Sequence, residues 1–264
     1  MQISRNADVD YVIKVYKVSK SYLIDQAANR HDVVNALDQI SFNVKRGEIV
    51  AFVGPNGCGK TTLIMCIAGV LKPDQGTIVV NGGDPNFSKI GFVFQNYREV
   101  LFPWRSNLHN LSLPLEIAGF SKREAEEQAR NLLKELEWDI NPDLYPYQLS
   151  GGYQQLLSIA RALIVKPEII FMDESLSSLD YRMELTARDK LAQYWKSNNS
   201  TSLFVSHNIE DAIYLADRIV LLSKCPAKVL DILNCDLPRP RTPDMVTMSK
   251  FLDLKQRILG TVDK

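Results

Sequence analysis

The sequence carries no excess of either charge. Its 264 residues include 31 Lys and Arg against 31 Asp and Glu, for a formal net charge of zero. A broad basic face of the kind that grips nucleic acid is therefore not expected, and any anion must be bound locally. Long apolar runs are missing too. None reaches the roughly 18 residues that a membrane span requires, and Met1 to Asp10 is polar, without the apolar stretch of a signal peptide. The expectation is a chain that is soluble or rides on a membrane partner. Cysteine is scarce. Cys58, Cys66, Cys225 and Cys235 form no C-x-x-C pair, and no histidine flanks them at zinc spacing. They read as reduced thiols in a cytosolic protein rather than as a disulfide framework or a metal knuckle. No internal repeat or low-complexity segment is visible. What remains is a chain that is 45% hydrophobic, enough for one large domain or a core with a subdomain.

One stretch organises the rest. Gly54-Pro55-Asn56-Gly57-Cys58-Gly59-Lys60-Thr61-Thr62 has the spacing G-x-x-x-x-G-K-[ST]. A strand-like run, Glu48 to Val53, leads in. A helix-like run, Thr61 to Leu71, leads out and stops before Pro73. Glycines let the backbone curl and turn its N–H groups inward around an anion, and the positive end of the next helix adds to that field. Lys60 would reach the outer phosphates of a nucleotide, and the Thr61 hydroxyl would bind Mg²⁺. Cys58 sits inside the loop. Either a small residue fits there, or a thiol at a helix N-terminus has a redox role.

Around this loop the apolar pattern alternates between strands and helices. Residues 11–17 and Ala36–Val44 read as strands of an N-terminal, antiparallel β layer, with Leu23 to Asn35 as an irregular loop between them. Thr77–Val80 and Ile90–Phe94 are further strands, and Asn81 to Asp84 a turn. The segment from Asn96 to Arg105 crowds Tyr97, Val100, Leu101, Phe102, Pro103 and Trp104 into a loop-like stretch. It is either folded onto the core or an exposed apolar patch for a partner. Asn107–Ile117 looks helical, and Ser121-Lys122-Arg123-Glu124 is a capping box that opens another helix. Residues 105–165 are thus mostly helical between β-rich stretches, as an inserted subdomain would be.

The remaining chemistry lies at strand and helix ends. Leu149-Ser150-Gly151-Gly152 opens an apolar helix. It offers either a second phosphate site or a plain N-cap turn. Ile169-Ile170-Phe171-Met172 closes on Asp173 and Glu174, as a buried parallel strand would. Asp173 would hold Mg²⁺ beside Lys60 and Thr61, and Glu174, pointing elsewhere, would orient or deprotonate a water. A turn, Ser175 to Asp180, leads into a helix to about Trp195. The strand Thr201–Val205 ends at Ser206-His207. Ligands bind at the C-terminal strand ends of open α/β sheets, which favours His207 as a γ-phosphate contact over a plain surface histidine. Arg218–Leu222 and Lys228–Leu233 read as strands, and Thr242 or Asp244 as the cap of a last helix.

Taken in order, Gly54–Thr62, Gln95, Leu149–Gln155, Ile169–Glu174, Ser177–Asp180 and His207 resemble ABC-type ATPases, and the chain looks like an ABC transporter ATP-binding subunit from Tyr11 to Leu222. The resemblance implies an α/β fold with a P-loop (RecA-like) nucleotide-binding core, an N-terminal antiparallel β layer and an inserted helical subdomain at about 97–165. The cassette would span 1–224 and a C-terminal extension 225–264, which either packs on it or contacts a partner. It implies that Tyr22 stacks on adenine and that Gly54, Pro55, Asn56, Gly57, Cys58, Gly59, Lys60, Thr61 and Thr62 hold the phosphates of ATP with Mg²⁺. Gln95 would touch Mg²⁺ and the attacking water, Asp173 would support Mg²⁺, Glu174 would be the catalytic base and His207 the switch histidine. Ser150, Gly151 and Gly152 would contact ATP held by a second subunit, with Asp180 at the contact between the two. That requires a head-to-tail dimer of this chain or of this chain with a homologue.

A narrower resemblance is carried by Leu101-Phe102-Pro103-Trp104-Arg105, Asp217–Ser223 and Asp236-Leu237-Pro238-Arg239-Pro240-Arg241. These are similar to the nitrate/sulfonate/taurine (and bicarbonate) import subfamily. It implies uptake of a small anion through separate integral membrane subunits and, indirectly, a substrate-binding protein. The chain would lie peripherally on the cytoplasmic face of a bacterial plasma membrane, with 97–104 facing the membrane subunit. Departures are Leu156-Leu157 after Gln155, Ser178 in place of a usual Ala, Asn208 where Asp or Glu is usual, and a long Leu23–Val34 loop. The alternatives are a soluble ABC ATPase with a non-transport role, which often carries basic tails or a second cassette, and a module that holds ATP without turnover. Gln95, Glu174 and His207 together speak against the second.

Overall fold

The computed structural model describes residues 10–26, 30–83, 90–176 and 179–262. The polar start of the chain up to Val9, Asp84, Ser177 and Ser178 lie outside the described residues. The strands are β1 (Tyr11–Gln26), β2 (Arg30–Lys45), β3 (Ile49–Val53), β4 (Gln75–Val80), β5 (Ile90–Val93), β6 (Ile169–Asp173), β7 (Thr201–Val205), β8 (Arg218–Leu222) and β9 (Val229–Asn234). The helices are α1 (Lys60–Ile67), α2 (Tyr97–Val100), α3 (Asn107–Ile117), α4 (Lys122–Leu136), α5 (Gly151–Leu163), α6 (Tyr181–Asn198), α7 (Ile209–Leu215) and α8 (Ser249–Val262).

Two sheets result. A three-stranded antiparallel layer has the order β2-β1-β4, and a six-stranded sheet the order β5-β6-β7-β3-β8-β9. In the larger sheet all neighbours are parallel except β8 and β9. Every residue of β3, β6 and β7 is buried, because side chains alternate between two covered faces. Val50, Phe52, Ile169, Phe171, Leu203 and Val205 pack with α1 and the antiparallel layer. Their neighbours Ile49, Ala51, Val53, Ile170, Met172 and Phe204 pack with the helices of the other face. Each such large apolar side chain stabilises the fold by about 1.5–3 kcal/mol on burial. Substituting Phe52 or Phe171 by a polar residue would open one core while leaving the other intact.

The helical elements α2 to α5 lie in the chain between β5 and β6. The capping box of α4 is formed on both sides, with the Ser121 hydroxyl accepting from Glu124 N and the Glu124 carboxylate from Ser121 N. Beyond residue 224, β9 adds an antiparallel edge to the main sheet. The Arg241 guanidinium is buried and donates to the carbonyls of Ile213, Tyr214 and Ala216, at the end of α7, and of Cys235. These are orphan carbonyls that a cation satisfies well.

The stretch after Tyr22 corrects the loop expected there. Ser21 faces Asn35, Tyr22 faces Val34 and Leu23 faces Val33 in a continuing antiparallel ladder. Composition concealed it because the paired residues that follow are exposed on both faces, Tyr22 38% and Val34 37% on one, Leu23 75% and Val33 60% on the other, so at these positions no buried face imposes alternation. The Asp74 carboxylate anchors the hairpin's base, accepting from Lys20 Nζ and Ser21 N at 2.7 Å each.

Candidate functional site

The parallel strands deliver their C-terminal ends to one edge of the main sheet, and the chemistry collects there. After β3 the chain turns through Gly54 to Gly59 into α1. Gly59 has φ 113°, and a Cβ on it would lie 2.7 Å from the Ala36 carbonyl oxygen. Only glycine meets both demands. Lys60 is buried, and its Nζ donates to the carbonyls of Gly54 and Pro55 at 2.9 Å each. The ammonium is thereby held across the mouth of the loop. Asn56 and Gly57 are exposed on the rim, and Cys58 is buried beneath it. Burial pushes the Cys58 thiol up, with Lys60 only partly offsetting it. A reactive cysteine has the opposite setting, so the small-residue reading of Cys58 is the better one. Thr62 shares a hydrogen bond of 3.2 Å with the hydroxyl of Tyr22 on β1. The exposed Tyr22 ring therefore stands at the edge of the P-loop.

The acids at the end of β6 have different surroundings. Asp173 is 2% exposed and meets Thr61. Burial raises its carboxyl above the ordinary value and the nearby Glu174 adds to this, while Thr61, Lys60 and His207 pull it back. Its Oδ1 is buried without a hydrogen-bond partner. A buried, orphaned carboxylate oxygen beside a threonine hydroxyl is a hard-oxygen donor set, and it fits a Mg²⁺ ion.

Glu174 leaves the strand in the left-handed region, with φ 48°. For a non-glycine residue this conformation is uncommon and costs about 1–3 kcal/mol. Its backbone N–H donates to Val205 O at 3.2 Å. The turn sends the carboxylate between two partners. Gln95 Nε2, just past β5, donates to Glu174 Oε2 at 2.7 Å, and His207 Nε2, just past β7, pairs with Glu174 Oε1. Gln95, Glu174 and His207 thus form one chain of contacts beside Asp173 and Lys60.

Ser150 and the glycines after it are placed elsewhere. Ser150 caps α5 by accepting from Tyr153 N, and among the described residues no hydrogen bond or ion pair joins Ser150, Gly151 or Gly152 to the P-loop. Asp180 caps α6, accepting from Arg182 N and Met183 N at 3.0 Å each. In a single copy of the chain both groups serve as helix caps.

Three polar residues without a sequence motif shape the segment before α3. Asn110, fully buried, accepts from Phe102 N and donates to the carbonyls of Phe102, Arg105 and Ser106. Arg161 of α5 donates to Val100 O at 2.5 Å and lies over the Phe102 ring. A Cβ on Gly151 would lie 2.8 Å from the Tyr97 hydroxyl. The segment after Gln95 is thus tied to the helix that Ser150 opens, while Trp104 stays 72% exposed. A buried Asn on an apolar helical face was the one available sequence signal for this arrangement.

Comparison with known proteins gives a uniform picture. Residues 37–177 match the family model described as ABC transporter. The uncharacterized ABC transporter ATP-binding protein MJ0412 of Methanocaldococcus jannaschii is 39% identical over 230 residues, covering 86% of this chain and 84% of that one. The aliphatic sulfonates import ATP-binding protein SsuB of Bacillus cereus is 32% identical over 234 residues, covering 88% of this chain and 90% of that one. Among solved structures, the dimeric post-hydrolysis state of the ATP-binding cassette MJ0796 bound to ADP and Pi superposes with a TM-score of 0.75 at 29% identity, over 86% of this chain and 100% of that one.

Proposed function

This chain belongs to the ABC transporter family as an ATP-hydrolysing cassette, and from that premise we propose that it energises import of a small anion through separate membrane subunits. The anion class is of the nitrate, nitrite, cyanate, bicarbonate, sulfonate or taurine type, and the similarity to a sulfonate import protein supports it. The observation that carries the catalytic reading is the Gln95–Glu174–His207 chain beside Lys60 and Asp173.

In this reading Tyr22 stacks on adenine, and the backbone of residues 54–62 surrounds the phosphates with Lys60 on the outermost ones. Thr61, Asp173 and Gln95 are the residues that would hold Mg²⁺, which when bound neutralises phosphate charge. Glu174 accepts a proton from a water whose oxygen attacks the γ-phosphorus, and the bond to the bridging oxygen breaks to give ADP and phosphate. Gln95 and His207 hold the Glu174 carboxylate in line. Ser150, Gly151 and Gly152, which among the described residues make no hydrogen bond to the P-loop of their own chain, complete the site of a second copy or a homologue. Asp180 lies where the two copies meet. ATP then closes the dimer and hydrolysis opens it, a two-state element biased by the γ-phosphate. The tied segment 97–104, with Trp104 outward, passes that motion to a membrane subunit at the cytoplasmic face of the membrane. The reading is tested by co-purification from native membranes. Recovery with an integral membrane protein is expected, and a chain that pulls down none and hydrolyses ATP fully alone would contradict transport.

A further inference from the structure

A cavity of 500 Å³ lies at the other edge of the main sheet, where β3 and β8 begin. Ile49 starts β3, Asp217 stands just before β8, and both line it. The five residues of β3 separate this edge from the P-loop, about 17 Å along a strand. One wall is α6, which contributes Asp189, Ala192, Gln193, Trp195 and Lys196. Another is Arg239-Pro240-Arg241, from the stretch beyond residue 224, with Tyr214 of α7 beside it. Cavities that take small molecules combine an apolar lining with a few polar groups. Here the apolar part comes from Ile49, Ala192, Pro240 and the Trp195 ring.

The polar lining is biased towards donors. Trp195 is 2% exposed, and its indole Nε1 is buried without an acceptor. Arg241 spends Nη1 and Nη2 on the carbonyls of Ile213, Tyr214, Ala216 and Cys235, which leaves its Nε buried without one. Each unmet buried N–H costs about 1–3 kcal/mol. The cations on either side of Asp189 are already engaged. Arg188 donates to Asp211 Oδ1 at 2.9 Å in a buried ion pair, and Lys190 pairs with Glu137 at 2.7 Å. Lys196 is exposed and in no ion pair among the described residues. The acids of the lining are less available. Asp217 accepts from Ile49 N at 2.9 Å on one oxygen and from Arg239 Nη2 at 2.7 Å on the other. Asp189 accepts from the Tyr214 hydroxyl at 2.8 Å, two turns of α6 before Lys196 and so about 10 Å away along the helix. Lys196, Arg239 and Arg241 against Asp189 and Asp217 leave the cavity one positive charge in excess.

We propose that this cavity binds a small organic anion of single charge. Its acidic oxygens accept from Lys196 and from the N–H groups of Trp195 and Arg241, and its apolar body lies against Ile49, Ala192 and Pro240. The class follows from the lining. The excess charge and the unmet donors call for an anionic head, and the apolar surface calls for a hydrocarbon part that an inorganic ion lacks. The site shares no lining residue with the P-loop or with the acids after β6, and it stands whichever way the nucleotide site is read.

Calorimetric titration of the full-length chain tests this, with saturating Mg–ADP present to occupy the P-loop. The probes are hexane-1-sulfonate, hexan-1-ol and sulfate. The sulfonate is expected to bind saturably with Kd below about 1 mM, and the alcohol and sulfate at least about tenfold more weakly, because each lacks half of the recognised chemistry. Lys196→Gln, a change at an exposed position, should weaken the sulfonate about tenfold. Ala192→Trp, which fills the cavity, should abolish its binding. No saturable binding of the sulfonate up to about 10 mM overturns the proposal. Equal affinity for hexan-1-ol overturns it too, by reducing the cavity to an apolar hole, and equal affinity for sulfate does so by reducing it to an ion site. Undiminished affinity in both variants puts the ligand elsewhere. Should Ala192→Trp fail to fold, Trp195 itself reports, in a chain carrying Trp104→Phe and Trp138→Phe. A change in its emission that saturates with the calorimetric Kd supports the site, and an unchanged spectrum at saturation overturns it.

Discussion

Gln95 Nε2 donates to Glu174 Oε2 at 2.7 Å, across the ends of two adjacent parallel strands. With His207 on the other carboxylate oxygen, Glu174 is held from both sides in a backbone conformation that an isolated chain avoids. Replacing it by Gln keeps the shape and removes the basicity. Glu174→Gln should lower kcat by about 10²–10⁴-fold, in the range of a lost general base, while ATP binding persists and an ATP-bound dimer accumulates. Size-exclusion chromatography with and without ATP, alongside phosphate release, checks both. A variant that hydrolyses ATP at the wild-type rate would remove Glu174 from the role of base.

Gly59→Ala tests the loop itself. With φ at 113° and a carbonyl 2.7 Å from the new methyl, the loop must deform or strain against β2. A stability loss of about 1–3 kcal/mol is expected from urea denaturation, together with loss of fluorescent-nucleotide binding. Unchanged nucleotide affinity would mean that the loop tolerates another shape.

The sequence made the P-loop legible because its chemistry is local: glycines, Lys60 and Thr61 lie within one turn of chain. The apolar runs of β3, β6 and β7 were equally plain, since burial on both faces leaves no polar alternation to misread. Less legible was whatever depends on distant partners. The ladder past Tyr22 has Tyr22, Leu23, Val33 and Val34 all exposed, so no buried face marks it there. Asp180 looks the same in sequence whether it caps α6 or meets a second subunit. The Arg188–Asp211 pair joins residues 23 apart, and nothing in either neighbourhood announces it. Arg241, in an extended stretch between prolines, gives no sign that it caps α7 from inside the core.

Asp173→Asn separates the metal from the nucleotide. In the wild type, adding Mg²⁺ to the ATP-bound chain should raise the melting temperature beyond ATP alone. In the variant that increment should vanish. Without ligand the variant should be at least as stable as wild type, because a buried, raised carboxyl with an orphaned oxygen is replaced by a neutral amide. A full Mg²⁺ increment in the variant would place the ion elsewhere.

Trp104→Ala addresses the outward segment. The side chain is 72% exposed and packs with Phe102 at a ring separation of 5.3 Å. Its removal should leave melting temperature and ATP hydrolysis by the free chain intact, and weaken association with membrane subunits by about 2 kcal/mol, as an aromatic interface anchor does. Quantitative pull-down from solubilised membranes measures the difference. An unaltered association would move the docking surface away from Trp104.

The central claim is that Lys60 and Ser150 serve one ATP only when they come from different copies of the chain. Mixing two inactive variants tests it most directly. One carries Lys60→Ala, and the other carries Ser150→Phe, which blocks the start of α5. Each homodimer has two defective sites, whereas the mixed dimer has one site with both partners intact. ATP hydrolysis should therefore reappear on mixing, towards about half the wild-type rate per mixed dimer if its two sites act independently. Activity that never exceeds the sum of the separate variants would contradict the account and return Ser150 to the part of an ordinary helix cap.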